Sequence, residues 1–271
     1  MGTGKKKSAR VTIKDVATAA EVSIATVSYV LNNTPGQSIS DETRKKVLQF
    51  ANLLGYECNV MARYLATGKT NAVTLVVKDV DGVAAQYYFK LITELSKQLS
   101  KMSFTLKISD YADEIVKSSD TSDAYITLSL TEKEFREFAD TKYNPVIAID
   151  SVFDDFLFYR VNDDYDRLAA KAKNATGDPA VTLVTYFLPA ECETLARKSF
   201  DRVVTLKSLS DFNNIDGSLS YATACKAVAD CIGGSVYLAD SAELKAVAAV
   251  DAVFKAINRV QSTSEEHDIK V

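Results

Sequence analysis

The hydrophobic pattern of this chain changes period once, near residue 70, and that change constrains the fold more than any other feature of the sequence. Before it, apolar residues recur at the three-to-four spacing of helices. From Ala72 onward, short apolar runs alternate with helical stretches, the order of parallel sheets covered by helices on both faces. A length of 271 residues accommodates that division as one small domain and one large one.

In the small part, Thr12 and Asp15 read as the start of a first helix, with Val16, Ala17 and Ala20 on its inner face. A second helix opens at Ser23 and turns Val27, Val30 and Leu31 inward. Residues 32–38 are loop chemistry around Pro35 and Gly36. Ser40 caps a third helix that runs to Leu54, with Val47, Phe50, Ala51 and Leu54 facing inward and Gly55 as its stop. In the large part, strands are expected at 73–77, 104–108, 124–128, 146–149, 157–161, 181–186, 202–206 and 236–239. Helices are expected at 86–101, 131–139, 163–173, 190–199 and 242–257.

Charge follows the same boundary. The net charge is −4, but residues 1–70 hold ten Lys/Arg against five Asp/Glu, which leaves 22 basic and 31 acidic residues in 71–271. A +5 head on a −9 body suits a chain whose one end meets a polyanion. Other classes fall away on composition. No run of apolar residues is long enough to span a membrane, and the basic stretch 1–14 has no apolar core of a secretory signal. Four scattered cysteines form no disulfide framework, which fits a reducing cytoplasm. With a single histidine, no metal centre or cofactor is expected. The set Cys225, Cys231 and His267 matches no common zinc spacing, and buried free thiols account for the cysteines better.

Three short helices in about 45 residues make a helix-turn-helix pattern. Ser23, Thr26 and Ser28 are short donors near a helix N-terminus, where backbone N–H groups and the helix dipole favour phosphate. Ile24 and Ala25 hold early positions that can meet base edges. The run VTIKDVATAAEVSIATVSYVLNN at 11–33 resembles the DNA-binding head of the lac/galactose repressor family, as do SISDETRKKV at 38–47, LGY at 54–56 and NVMARYLATGKT at 59–70.

The resemblance implies an all-α helix-turn-helix head followed by an α/β body. That body has parallel sheets in two lobes, periplasmic-binding-protein-like, with an incomplete second lobe. It divides the chain into a disordered basic arm (1–10), the head (11–58), a hinge helix and linker (59–70) and an effector-binding-like and dimerisation body (71–271). The lobes meet at residues 161 and 162. It assigns base reading to Ile24, Ala25 and Tyr29, and backbone positioning to Thr12, Ser23, Thr26, Ser28, Asn32 and Thr43. Minor-groove contact falls to Asn59, Ala62 and Leu65, the last as an apolar wedge. Three departures stand out: Tyr29 where arginine is usual, Glu21 where a turn glycine is usual, and Cys58 where proline is usual.

The same resemblance implies a cytoplasmic regulator, a repressor that binds a pseudo-palindromic operator as a homodimer under a sugar or nucleotide effector. Candidate effector contacts are Asp163, Arg197 and Asp240, with Tyr87, Phe89 and Phe153 as candidate stacking rings. The segment 237–250 resembles a strand–helix unit of the second lobe. Residues 264–271 resemble the start of a strand after which the family crosses back to the first lobe. The alternative is a body that serves only as a dimerisation or protein-interaction platform. A polar, aromatic-lined cleft between the lobes favours a sensor, and a filled one favours the platform. No G-x-S-x-G, Walker or G-x-G-x-x-G pattern supports an enzyme, and the acidic trio Asp163, Asp164 and Asp166 reads as a helix start.

Overall fold

A computed structural model of the chain describes residues 11–31, 36–56, 69–78, 84–117, 122–186, 188–239 and 241–271. The expected arm at 1–10 and hinge helix at 59–66 lie outside the described residues. Two compact units emerge, residues 1–68 and 69–271.

The first unit packs three helices, α1 (Ile13–Ala20), α2 (Ile24–Leu31) and α3 (Asp41–Leu53). Its core is Val16, Ala17, Ala20, Val27, Val30, Val47 and Ala51. These small side chains let three short helices approach closely around one centre. Each helix has a hydroxyl cap. In α1, the Thr12 N–H and Oγ1 both donate to Asp15 Oδ2 at 2.8 Å. In α2, Ser23 Oγ accepts from the Thr26 N–H at 3.0 Å. In α3, Ser40 Oγ accepts from the Thr43 N–H at 3.2 Å. Leu54, expected inside, lies just past the end of α3 and is 36% exposed, because Gly55 turns the chain there with φ 66°.

The turn between α1 and α2 places Glu21 at φ 55°. A side chain with a Cβ carries about 1–2 kcal/mol of strain in that left-handed region. The Glu21–Lys46 ion pair at 3.0 Å is exposed on both sides and offsets little of it. Glu21→Gly is therefore expected to stabilise the head by about 1 kcal/mol despite the added freedom of the unfolded chain. A higher melting temperature of the helical transition checks this, and an unchanged or lower one contradicts it.

The second unit holds two parallel sheets. The first runs β2 (Thr105–Asp110), β1 (Ala72–Val77), β3 (Ala124–Leu128), β4 (Val146–Ile149), β5 (Arg160–Asn162) and β10 (Asp268–Lys270) in spatial order. The second runs β7 (Arg202–Leu206), β6 (Val181–Tyr186), β8 (Ser220–Thr223) and β9 (Ser235–Leu238). Every pairing is parallel. Central strands are buried along their whole length, as sheets covered on both faces require. In both sheets the first strand in sequence sits inside the second, so each has a point where the strand order reverses and loops part.

Helices α4 (Ala84–Lys101), α5 (Tyr111–Ile115) and α6 (Glu132–Ala139) belong with the first sheet, and α7 (Tyr165–Thr176), α8 (Ala190–Ser199) and α9 (Lys226–Cys231) with the second. The last helix, α10 (Ser241–Ile257), departs from the expected order. The family resemblance places 162–271 in the second lobe, yet α10 packs along α4 and over β4 and β5 of the first sheet. After it, β10 pairs with β5, Ile269 opposite Val161. The reason is local. Ala242, Ala246, Ala249 and Ala252 make α10 smooth enough to lie close against the larger residues of α4, Tyr88, Leu91 and Leu95. One apolar core consequently joins Leu75, Ile147 and Tyr87 on the first sheet's side to Val184, Tyr186 and Tyr221 on the second's.

Candidate nucleic-acid interface and the cleft of the body

Helix α2 has two opposite faces. Val27 and Val30 are buried against α1 and α3. Ile24 is 45% exposed, Tyr29 is 37% exposed, and Ala25 is exposed beside them. At about 100° per residue, positions 24, 25, 28 and 29 fall within roughly 140° of arc, away from the buried stripe. Ile24 and Tyr29 thus leave large side chains exposed on the face of α2 opposite Val27 and Val30. The N-terminus of α2 opens on the same side, with Ser23 and Thr26 Oγ atoms 2.9 Å apart. Ser28 is half-buried on that helix.

Thr12 and Ser23 are exposed, while Thr26 and Thr43 are half-buried, and all four sit in helix caps. Thus the short polar residues expected to position DNA are also those that close the helix ends. Asn32, Asn59, Ala62 and Leu65 lie outside the described residues.

The body's expected effector residues are not brought together. Asp163 Oδ2 accepts from the Lys245 Nζ at 2.7 Å and borders a cavity of about 80 Å³ with Arg167, Lys171 and Tyr237. Arg197 borders a separate groove of about 440 Å³ with Thr131, Leu188, Pro189 and Lys207, and its guanidinium is engaged by Glu193 of the same helix. Asp240 lies outside the described residues. The candidate rings diverge as well. Tyr87 is buried, Phe89 is 72% exposed, and Phe153 stacks on Phe135 in the core at 4.3 Å. Of the cysteines, Cys192 and Cys225 are buried, but Cys231 is exposed, so the buried-thiol expectation fails there.

A group that sequence reasoning missed occupies the place where these strands end. Asp150 follows β4 and Asp163 follows β5, so both stand at the C-terminal edge of the first sheet. Between them lies the ammonium of Lys245 from α10, with no exposed side-chain surface, donating to Asp150 Oδ1 at 2.6 Å, Asp163 Oδ2 at 2.7 Å and the Tyr87 hydroxyl oxygen at 3.0 Å. Tyr87 in turn packs on Tyr186, at the end of β6, with ring centroids 4.6 Å apart. The edges of the two sheets therefore meet through packed rings and a buried ion cluster. The missed signal was positional: Lys245 sits on the same helical stripe as Ala242, Ala246, Ala249 and Val253.

Burial alone would lower the Lys245 pKa, but Asp150 and Asp163 outweigh it and hold the ammonium well above its ordinary value. Burial pushes Tyr87 up to about 12 and raises Tyr88, Tyr165 and Tyr186 as well. All these groups bind protons more tightly folded than unfolded. Their contribution is therefore complete below about pH 10 and is lost as pH rises through the folded values, by up to ~1.4 kcal/mol per pH unit for each group. Urea melts of the body are expected to weaken sharply between pH 10 and 12, and equal midpoints across that range would contradict the burial of these groups.

Comparison with known proteins adds four findings. Residues 12–59 match the family model described as "Bacterial regulatory proteins, lacI family". The HTH-type transcriptional regulator pepR1 of Lactobacillus delbrueckii subsp. lactis is 30% identical over 60% of this chain, and the chain spans about half the length of that relative. Catabolite control protein A of Priestia megaterium is 27% identical over 80% of this chain and 69% of its own length. Among solved structures, the lac repressor dimer bound to operator and the anti-inducer ONPF superposes with a TM-score of 0.58 at 14% identity, covering 97% of this chain and 96% of that one. At that identity the likeness is one of fold.

Proposed function

We propose, from the match of residues 12–59 to the lacI-family model, that the protein is a sequence-specific DNA-binding transcriptional regulator and not an enzyme. It acts in the cytoplasm as a repressor and binds a pseudo-palindromic operator as a homodimer. The supporting observation is the exposed face of α2, Ile24, Ala25 and Tyr29, opposite its buried Val27 and Val30. These three read base edges in the major groove, while Thr12, Ser23, Thr26, Ser28, Asn32 and Thr43 position the phosphates. Asn59, Ala62 and Leu65 take the minor groove. Two copies are needed because one such head contacts too few base pairs for specificity.

Two readings of the body differ in consequence. A sugar or nucleotide sensor would use the groove beside Arg197. The filled sheet edge at Lys245 favours the other reading, in which the body is a dimerisation or interaction platform. The test of the DNA reading is selection of bound sites from a random duplex library. Enrichment of one two-fold symmetric site, with affinity falling steeply as salt rises, supports it, and failure to enrich any site overturns it. A thermal-shift screen with sugars and nucleotides decides between the body readings, since a ligand of the native state raises its melting temperature.

A further inference from the structure

An ammonium group has three N–H donors, and Lys245 uses each of them on a different acceptor. Asp150 Oδ1, Asp163 Oδ2 and the Tyr87 hydroxyl oxygen surround Nζ at 2.6, 2.7 and 3.0 Å. The three acceptors come from the end of β4, the end of β5 and the first turn of α4, so three separate elements of the first sheet's layer converge on one point. Only the ammonium comes from α10. That arrangement is a binding site for a primary ammonium ion, built at the strand ends where parallel α/β sheets hold ligands and occupied here by the chain's own side chain. It also retains spare capacity. Asp150 Oδ2 is buried without a hydrogen-bond partner among the described residues, as is Ser241 Oγ at the start of α10.

We infer that Lys245 is an internal ligand: its ammonium occupies a tripodal ammonium site of Asp150, Asp163 and Tyr87 at the C-terminal edge of the first sheet. The inference rests on the platform reading of the body. It assigns the emptied site a ligand class, primary alkylammonium ions. Removing the side chain beyond Cβ deletes three carbons and the nitrogen, so n-propylammonium is the matching probe.

The experiment compares full-length wild type and Lys245→Ala by thermal shift, with n-propylammonium chloride, tetramethylammonium chloride and sodium chloride at equal ionic strength. The variant is expected to melt lower than wild type. n-Propylammonium should raise its melting temperature saturably, while tetramethylammonium, which has the charge but no N–H donors, should act only as sodium does. The wild type should not distinguish the salts. Equal responses to all three in the variant overturn the inference. Should Lys245→Ala not fold, reductive methylation of the wild type supplies the reading: Lys245 stays unmodified while exposed lysines are dimethylated, and modification of Lys245 at their rate overturns the assignment. A sugar or nucleotide that raises the wild-type melting temperature overturns the platform reading, whereas the n-propylammonium result bears on the ammonium site alone.

Discussion

Lys245→Met is expected to destabilise the body by about 3–5 kcal/mol, the largest stability effect of any single substitution considered for this chain. The cost does not come from losing a favourable pair. A buried ion pair is close to break-even against apolar packing, because taking charges out of water offsets most of their attraction. It comes from what remains. Asp150 has no exposed surface to speak of, and Asp163 is nearly buried, so without the ammonium two carboxylates face each other away from water. Burial already raises the Asp150 pKa to about 6 with Lys245 beside it. The control follows directly. Adding Asp150→Asn and Asp163→Asn to Lys245→Met should recover a large part of the loss, since it removes the uncompensated charge. Asparagine also suits the left-handed backbone at position 150, φ 53°. Chemical denaturation of the three proteins measures both steps. A small effect of Lys245→Met, or no recovery in the triple variant, contradicts the buried-charge account.

Ala25→Glu is expected to abolish specific DNA binding, by about a hundredfold or more, without harming the fold. Position 25 is exposed in the first turn of α2, where a carboxylate is favourable to the helix itself. Folding should therefore be unaffected or slightly improved. Against DNA the same carboxylate meets a polyanion and replaces an apolar contact with a base edge, in an interface where each mismatched base pair costs about 1–3 kcal/mol. Anisotropy titration on the selected site, paired with a melting curve, separates the two effects. Near-wild-type affinity in a folded Ala25→Glu would remove α2 from the interface.

Much of this architecture was legible because it is local. The head announces itself through caps and spacing: Thr12, Ser23 and Ser40 stand where helices begin, and Val16, Ala20, Val27, Val30 and Val47 recur where they must pack. Strands β3, β4, β6 and β7 are rich in apolar and β-branched residues and sit where such runs predict. What escaped depends on distant partners. Strand β8, with its sequence SYAT, is short and half polar, and only its place between β6 and β9 makes it a strand. A strand start at 264–271 was legible, and β10 lies within it, but its pairing with β5 was not. The alanine-rich pattern of α10 is compatible with either sheet, and its choice rests on α4 and on the three acceptors around Lys245, 82 to 158 residues away. The effector site was the least legible part, since Asp163 and Arg197 border different cavities.

The central claim is that the exposed face of α2 reads DNA, and Tyr29 tests it most directly. Arginine at that position can make two hydrogen bonds to guanine, and tyrosine cannot. Selection from a random duplex library, run in parallel on wild type and Tyr29→Arg, should yield two symmetric sites. They should differ at one corresponding position in each half, with guanine enriched there by the variant. Identical sites from the two proteins would contradict the account.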